Sequence, residues 1–388
     1  MITIKDKSLC AGCSACANIC PKKCIEMVAD ERGFLYPSIK ESECVQCGLC
    51  NKICPFLNPK EVKDDKNAYA AYYKDESVRG VSSSGGLFGC LAKEILNENG
   101  VVFGAAFADD FKSIKHIGIE RKEDLLKLYG SKYLQSVIGD SYKSAENYLK
   151  ADRFVLFVGT SCQVSGLKAY LRKDYDNLLT VDVICHGAPS PLVWRDYVTE
   201  KEQQYGSKIV GANFRNKRFG WGKSVLLLLF ADGSEYCEPG SKDEYMRGFL
   251  TNLYLRESCY KCKCKGNHVL SDISLGDFWG IEGVLPNFSD NKGASAVILN
   301  TEKGKAFFEK LKSELVIEKV DYGDVLKGNL ALVSPVAKPD KSEKFWKLYH
   351  KQGLFKAYKV CLKDTFIRKC YRFARRVCRK IKTTIKRK

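Results

Sequence analysis

The sequence contains no long hydrophobic run. VLLLLF at 225–230 is far too short to span a bilayer. The opening residues, MITIKDKSLC, are polar and lack the apolar segment of a secretory signal. Export to an oxidising compartment is therefore not expected, nor is a disulfide scaffold. No G-x-G-x-x-G occurs, so the common dinucleotide fingerprint is missing. Histidine is scarce, four in 388 residues, which leaves few side chains able to exchange a proton near neutral pH.

Cysteine, by contrast, is abundant: 19 residues. Eight fall in two runs, CAGCSACANICP at 10–21 and CVQCGLCNKICP at 44–55. In a reducing compartment, clustered thiols bind metal or carry redox chemistry. Structural zinc sites pair C-x2-C units across a long gap. Each run here is instead C-x2-C-x2-C-x3-C-P, the spacing of bacterial two-cluster ferredoxins. Three thiolates cap one cubane and the fourth, held by the proline turn, reaches the other. The spacing predicts two [4Fe–4S] clusters, one on Cys10, Cys13, Cys16 and Cys54, the other on Cys44, Cys47, Cys50 and Cys20. Cys24 lies outside the pattern and reads as a small buried hydrophobe.

The chain is long enough for two or three domains, and 45% apolar residues with 20 each of Tyr and Phe supply a large core. Residues 1–57 are the dicluster unit and 58–67 a polar linker. From 68 to 340 strand and helix patterns alternate: AYAAYY, VVFGAAF, RFVLFVG, LLTVDVIC, NFRNK, SVLLLLF and ASAVILN as strands, with helices between them. The expected architecture is an α+β ferredoxin-like dicluster domain followed by a larger α/β domain and a basic C-terminal helix. Sheet order is not readable from this pattern.

Several motifs of the large domain bear on chemistry. Ser83, Ser84, Gly85 and Gly86 precede a helix, where free N–H groups favour an anion and glycines permit its close approach. A cofactor phosphate cradle and a serine-capped helix both fit. In FVLFVGTSCQVSGLKAYL, a strand turns into a helix at Thr160, Ser161, Cys162 and Gln163, the kind of edge at which α/β sheets bind ligands. Cys162 at a helix N-terminus is expected to have a lowered pKa. His186 follows a strand end and precedes a glycine, a placement suited to proton transfer. Cys259, Cys262 and Cys264 are too few to close a four-thiolate site. They could share a further cluster with Cys162 or Cys185, form half a zinc site, or be simple thiols. In LGDFWG, Phe278 and Trp279 could pack a flavin ring and Asp277 accept its N–H; a tight aromatic turn fits as well.

Taken together, the cluster motifs, SSSGGL at 83–87, GTSCQVSGLK at 159–168, CHGAPSP at 185–191 and NLYLRESCYKCKCK with SDISLGDFWG resemble the beta subunits of coenzyme F420-reducing hydrogenases and dehydrogenases. Relatives of that family include a reductase acting on a chlorophyllide ring. The resemblance covers roughly residues 5–300 and implies an iron–sulfur flavoprotein with FAD. It implies electron exchange with a redox partner protein or carrier and with an organic substrate or F420-like carrier. The SSSGG and GTSCQ turns would hold the flavin, with His186, Cys162 and Asp277 near the reacting ring. Cys259 and Cys262 would bind metal. Ser161 stands where the family pattern has proline. A non-catalytic electron carrier is the competing reading.

The net charge is +18, and residues 359–388 alone carry thirteen Lys or Arg against one Asp. Leu362, Phe366, Cys370, Phe373, Val377, Ile381 and Ile385 form an apolar stripe at helical spacing in this tail. A cationic amphipathic helix over 341–388 suits an anionic membrane surface better than nucleic acid. The expected location is cytoplasmic, peripheral at the inner face of the membrane.

Overall fold

A computed structural model of the chain describes residues 1–62 and 66–363. It has two units, Met1–Lys338 and Pro339–Lys388. The first begins with the cysteine runs, each wound about a short helix. Helix α1 (Ala15–Ile19) carries Cys16 and starts behind Ser14 at φ 61. The hairpin of β1 (Ile25–Ala29) and β2 (Leu35–Ile39) pairs Ile25 with Ile39. Helix α2 (Leu49–Lys52) carries Cys50 and starts behind Gly48 at φ 75. A left-handed residue before each helix turns the chain sharply enough to bring widely spaced thiols around one point.

The rest of the first unit is built on β3 (Asn67–Tyr73), α3 (Glu76–Val81), α4 (Leu87–Asn97), β4 (Val101–Phe107), β5 (Ile114–Ile119), α5 (Leu125–Leu128), α6 (Ser141–Lys150), β6 (Val155–Thr160), α7 (Ser161–Leu171), β7 (Leu178–Val183) and α8 (Pro191–Tyr205). A small antiparallel sheet follows, β8 (Ile209–Asn216), β9 (Val225–Phe230) and β10 (Glu235–Pro239). Then come α9 (Glu244–Leu250), β11 (Ile273–Asp277), β12 (Ser295–Leu299), α10 (Glu302–Lys310), β13 (Leu315–Val320) and α11 (Tyr322–Gly328).

The main sheet has the order β13-β3-β12-β11-β7-β6-β4-β5. Its middle strands, β4, β6, β7 and β11, are parallel. The flanking pairs are antiparallel. Val155, Leu156 and Phe157 of β6 are fully buried, as expected where helices cover both faces of parallel strands. All four parallel strands end at one edge, and Thr160, Cys185, His186 and Asp277 lie at or just past those ends.

The anticipated strands are present. Strands β5, β10, β11 and β13 and helix α6 were not evident from the residue pattern. SDISLGD is not among the strand patterns, yet β11 lies between β7 and β12, with Ser274 and the preceding Ser271 bonded to Asp182. In the second unit, helix α12 (Lys341–Cys361) breaks at Gly353, φ 79, and Tyr358 folds back to within 5.9 Å of Phe345. The tail stripe from Phe366 onward lies outside the described residues. Among the described residues no helix is long and apolar enough to cross a membrane.

Gly85 shows how tightly the cradle before α4 is seated. A Cβ there would meet Ala71 O at 2.5 Å and Ser295 N at 2.9 Å, both backbone. Gly85→Ala is expected to destabilise the fold by about 2 kcal/mol through overpacking. Gly80→Ala, with nothing within 4 Å, should be neutral or stabilise by about 0.5 kcal/mol. Urea unfolding of the two variants side by side checks this contrast.

Candidate functional site

Cys10, Cys13, Cys16 and Cys54 are electrostatic neighbours, the set that the spacing assigns to one cluster. Burial pushes the Cys16 thiol up to about 12 and also raises Cys13 and Cys54. Cys20, Cys24 and Cys44 form a second neighbourhood, and Cys20 Sγ lies 3.4 Å from Cys24 Sγ. Cys24 is buried, as read from sequence, but it borders this thiol set rather than plain core. Cys47 is exposed, so this second group faces solvent.

A third group is assembled from distant segments. Cys162 opens α7, Cys185 follows β7, and Cys259 and Cys262 lie in the loop after α9; these four interact with one another. Cys259 Sγ accepts the Ala188 N–H at 3.3 Å. Cys264 stands behind them and its thiol, donating to Cys262, pulls Cys262 down to about 6. The expectation of a lowered Cys162 pKa is corrected: burial raises it to about 12, and desolvation outweighs the helix terminus. Among the described residues no three His, Cys, Asp or Glu side chains converge as a single metal ion needs.

Sequence reasoning missed Arg256. It is 1% exposed, yet no carboxylate among the described residues pairs with it. Its Nε donates to Cys10 O at 2.7 Å, Nη2 to Leu35 O at 2.8 Å and Nη1 to Gln135 Oε1 at 3.0 Å. Nη2 also lies 3.6 Å from Cys10 Sγ, and the charge is felt by Cys162 and Cys259. A buried cation without a counter-charge is costly. Thiolate-ligated clusters on either side would supply that charge.

Along the carboxyl edge of the parallel strands runs a cavity of about 930 Å³. It is within the size range of cofactor sites. All four thiols of the third group line it, together with Ser83, Ser84, Gly86, Thr160, Ser161, Gln163, His186, Asp277 and Trp279. Gly85 alone of the predicted cofactor residues sits behind the wall. At the cradle, Ser83 Oγ accepts the Ser131 N–H at 2.7 Å and Ser84 Oγ donates to Ala294 O at 2.8 Å. Neither caps α4, whose N-cap is Gly86 at φ 87. The helix start is thus left open to the cavity, as an anion site requires.

At the GTSCQ turn, Gln163 Oε1 accepts the Thr160 N–H at 2.9 Å, and its Nε2 donates to Ser136 Oγ at 2.8 Å. Ser136 is 2.9 Å from His116 Nδ1, while His116 Nε2 is 3.0 Å from Val158 O. The carbonyl requires Nε2–H, so Nδ1 accepts. Burial lowers His116 to about 4, which keeps it neutral. Ser161, in place of the family's proline, donates to the buried Asp182, which also accepts from Ser271 and Ser274. The turn is therefore stiffened by hydrogen bonds.

His186 Nε2 is 2.6 Å from Asn252 Oδ1, and burial lowers its pKa. Asp277 Oδ1 accepts from Trp221 Nε1 at 2.7 Å. Trp279 stacks on Trp221 at 5.2 Å and 4°, with the Arg215 guanidinium 4.7 Å from its ring. Trp279, expected to pack a flavin, makes these contacts while still lining the cavity. Arg215 was not foreseen: a bulge in β8 between Asn213 and Asn216 re-aims it at the cavity. Its Nη2 lies 3.3 Å from Asp277 Oδ2, but that nitrogen and Nε are buried without hydrogen bonds.

Lys132 also lines the cavity, with Nζ donating to the carbonyls of Leu128, Tyr129 and Gly130 at the end of α5. Burial lowers it to about 7. A depressed lysine binds its proton more weakly folded than unfolded, so stability rises with pH from about 7 towards its ordinary 10.5. The slope approaches about 1.4 kcal/mol per pH unit. Lys132→Met should flatten it, as read by urea midpoints between pH 7 and 10.

No curated protein matches the chain. A solved structure of the F420-reducing [NiFe] hydrogenase complex from Methanosarcina barkeri, determined after xenon derivatization, shares 19% identity over 78% of this chain and 91% of that one, with TM-score 0.47. Residues 9–58 match the 4Fe-4S dicluster domain. Residues 152–324 match the C terminus of the coenzyme F420 hydrogenase/dehydrogenase beta subunit. The chain thus joins a 4Fe-4S dicluster segment to a region similar to the C terminus of the coenzyme F420 hydrogenase/dehydrogenase beta subunit.

Proposed function

We propose that the protein is an iron–sulfur flavoprotein oxidoreductase that passes electrons between [4Fe–4S] clusters, FAD and an organic substrate or F420-like carrier. The observation that carries this reading is the shared cavity. Four thiols from separate segments line the same space as an uncapped helix start and a set of polar side chains. Cys162, Cys185, Cys259 and Cys262 would hold a third cluster. The eight thiols of the N-terminal runs would hold the other two, the solvent-facing one receiving or delivering electrons to a partner.

A bound flavin would couple the one-electron chemistry of clusters to two-electron chemistry on an organic molecule. The chain's own residues bind and orient. The open start of α4 and the Ser83–Gly86 turn would take a phosphate. Arg215, which lines the cavity, would attract an anionic or carbonyl oxygen, and Asp277 holds that guanidinium in place. Trp279 acts by fixing Arg215. His186, neutral and anchored by Asn252, is placed to accept a proton at Nδ1. Cys162 serves as a ligand in this reading rather than as a proton donor.

Anaerobic purification with iron, sulfide and flavin quantitation on one sample tests the proposal. About twelve irons and one FAD per chain are expected. Irons with no flavin, and none taken up on adding FAD, would leave the electron carrier standing. Cys185→Ser should lower iron to about eight per chain while the N-terminal clusters persist by EPR. Arg256→Gln removes a buried positive charge beside Cys10. It should make the neighbouring cluster harder to reduce, seen as a more negative midpoint in EPR-monitored titration.

A further inference from the structure

A second, smaller cleft of about 360 Å³ opens where the dicluster segment meets α7 and the loop after Cys262. Its floor is apolar, formed by Ile53, Pro55 and Leu270 among others. Its ionisable lining is of one sign: Lys52, Lys60, Lys168, Arg172, Lys263 and His268, with no Asp or Glu. Three of these are already engaged. Lys263 Nζ donates to Phe56 O at 2.9 Å, Lys168 lies 3.9 Å from Asp272, and His268 sits 3.8 Å from Glu61. Lys52 and Lys60 have no carboxylate within 4 Å among the described residues, and Arg172 feels Glu146 without an ion pair to it.

We propose that this cleft binds a small amphipathic anion, a phosphate or carboxylate on an apolar body. The basic side chains of the lining outnumber the carboxylates at its edge, and an anion among them offsets that surplus of like charge. Lys168 and Arg172 also offset the negative end of α7, which would otherwise disfavour an anion. The apolar floor selects an anion with a hydrophobic portion over a bare inorganic one.

The position gives binding a consequence. Pro55 follows Cys54, Lys52 shares α2 with Cys50, and Cys264 is itself in the lining. A reduced cluster carries one more negative charge than an oxidised one. An anion in the cleft therefore binds the oxidised protein more tightly and makes the clusters harder to reduce. The cleft is a ligand-dependent control on electron flow, separate from the large cavity.

The test uses the cluster- and flavin-loaded protein and 8-anilinonaphthalene-1-sulfonate, an aromatic body with one sulfonate, in calorimetric titration. Lys60→Glu with Arg172→Glu should weaken binding at least tenfold, while Lys115→Glu with Lys319→Glu, elsewhere on the surface, should leave it unchanged. Lys60→Gln alone, at an exposed position, should weaken it about threefold, should the double variant lose its iron. Tenfold tighter binding to the oxidised form would lower a one-electron midpoint by about 59 mV. Equal affinity in wild type and all variants would overturn the proposal. So would binding of phosphatidylglycerol vesicles through Lys60 and Arg172 with no binding of the free probe, which would assign the cations to a lipid headgroup.

Discussion

A guanidinium with no carboxylate partner among the described residues links the two parts of the first unit. Arg256 comes from the loop after α9, yet its donors end on Cys10, Leu35 and Gln135, which span the dicluster segment and the α/β body. It lies against Tyr36, 4.2 Å from the ring, and over Gly12, where a Cβ would meet it at 2.8 Å. Hydrogen bonds to carbonyls satisfy its N–H groups without cancelling its charge.

The main sheet supplies the second constraint. Parallel strands leave loops and helix starts on one edge, and this chain spends that edge on chemistry. Thiols, uncapped N–H groups and polar side chains converge there because β6, β7 and β11 end side by side. Beneath it, Asp182 accepts from Ser161, from Ser271 just before β11 and from Ser274 within it, so that both carboxylate oxygens of this polar layer are bonded. Such a layer is tolerable only when every member is satisfied, and it sets the turn at Ser161 without proline.

Much of the N-terminal site was legible because its chemistry is local. Cysteine spacing of two and three residues, with a following proline, carries its own geometry. The GTSCQ and CHGAP segments were legible as turns at strand ends, since apolar runs stop there and glycine follows. Arg256, Arg215, His116 and Lys132 were not. Arg256, Arg215 and His116 matter through partners 20 to 246 residues away, and Lys132, though its carbonyl partners are two to four residues back, matters through burial that only the fold supplies. β11 was missed because Ser271 and Ser274 look solvent-facing until Asp182 is placed opposite them. Trp279 was read as a ring-packing surface, and the bulge in β8 that lays Arg215 on it has no signature in the sequence.

By itself the sequence determined the paired cysteine runs, the alternation of strands and helices, and the turns at 83–86 and 160–163, because covalent spacing and short-range periodicity decide them. Tertiary structure alone decided that Cys162, Cys185, Cys259 and Cys262 form one group. It alone decided that they share a cavity with the SSSGG turn, and that a set of basic side chains borders a second cleft. Those facts depend on strand order and burial. They are sums of many weak long-range contacts rather than properties of any one segment.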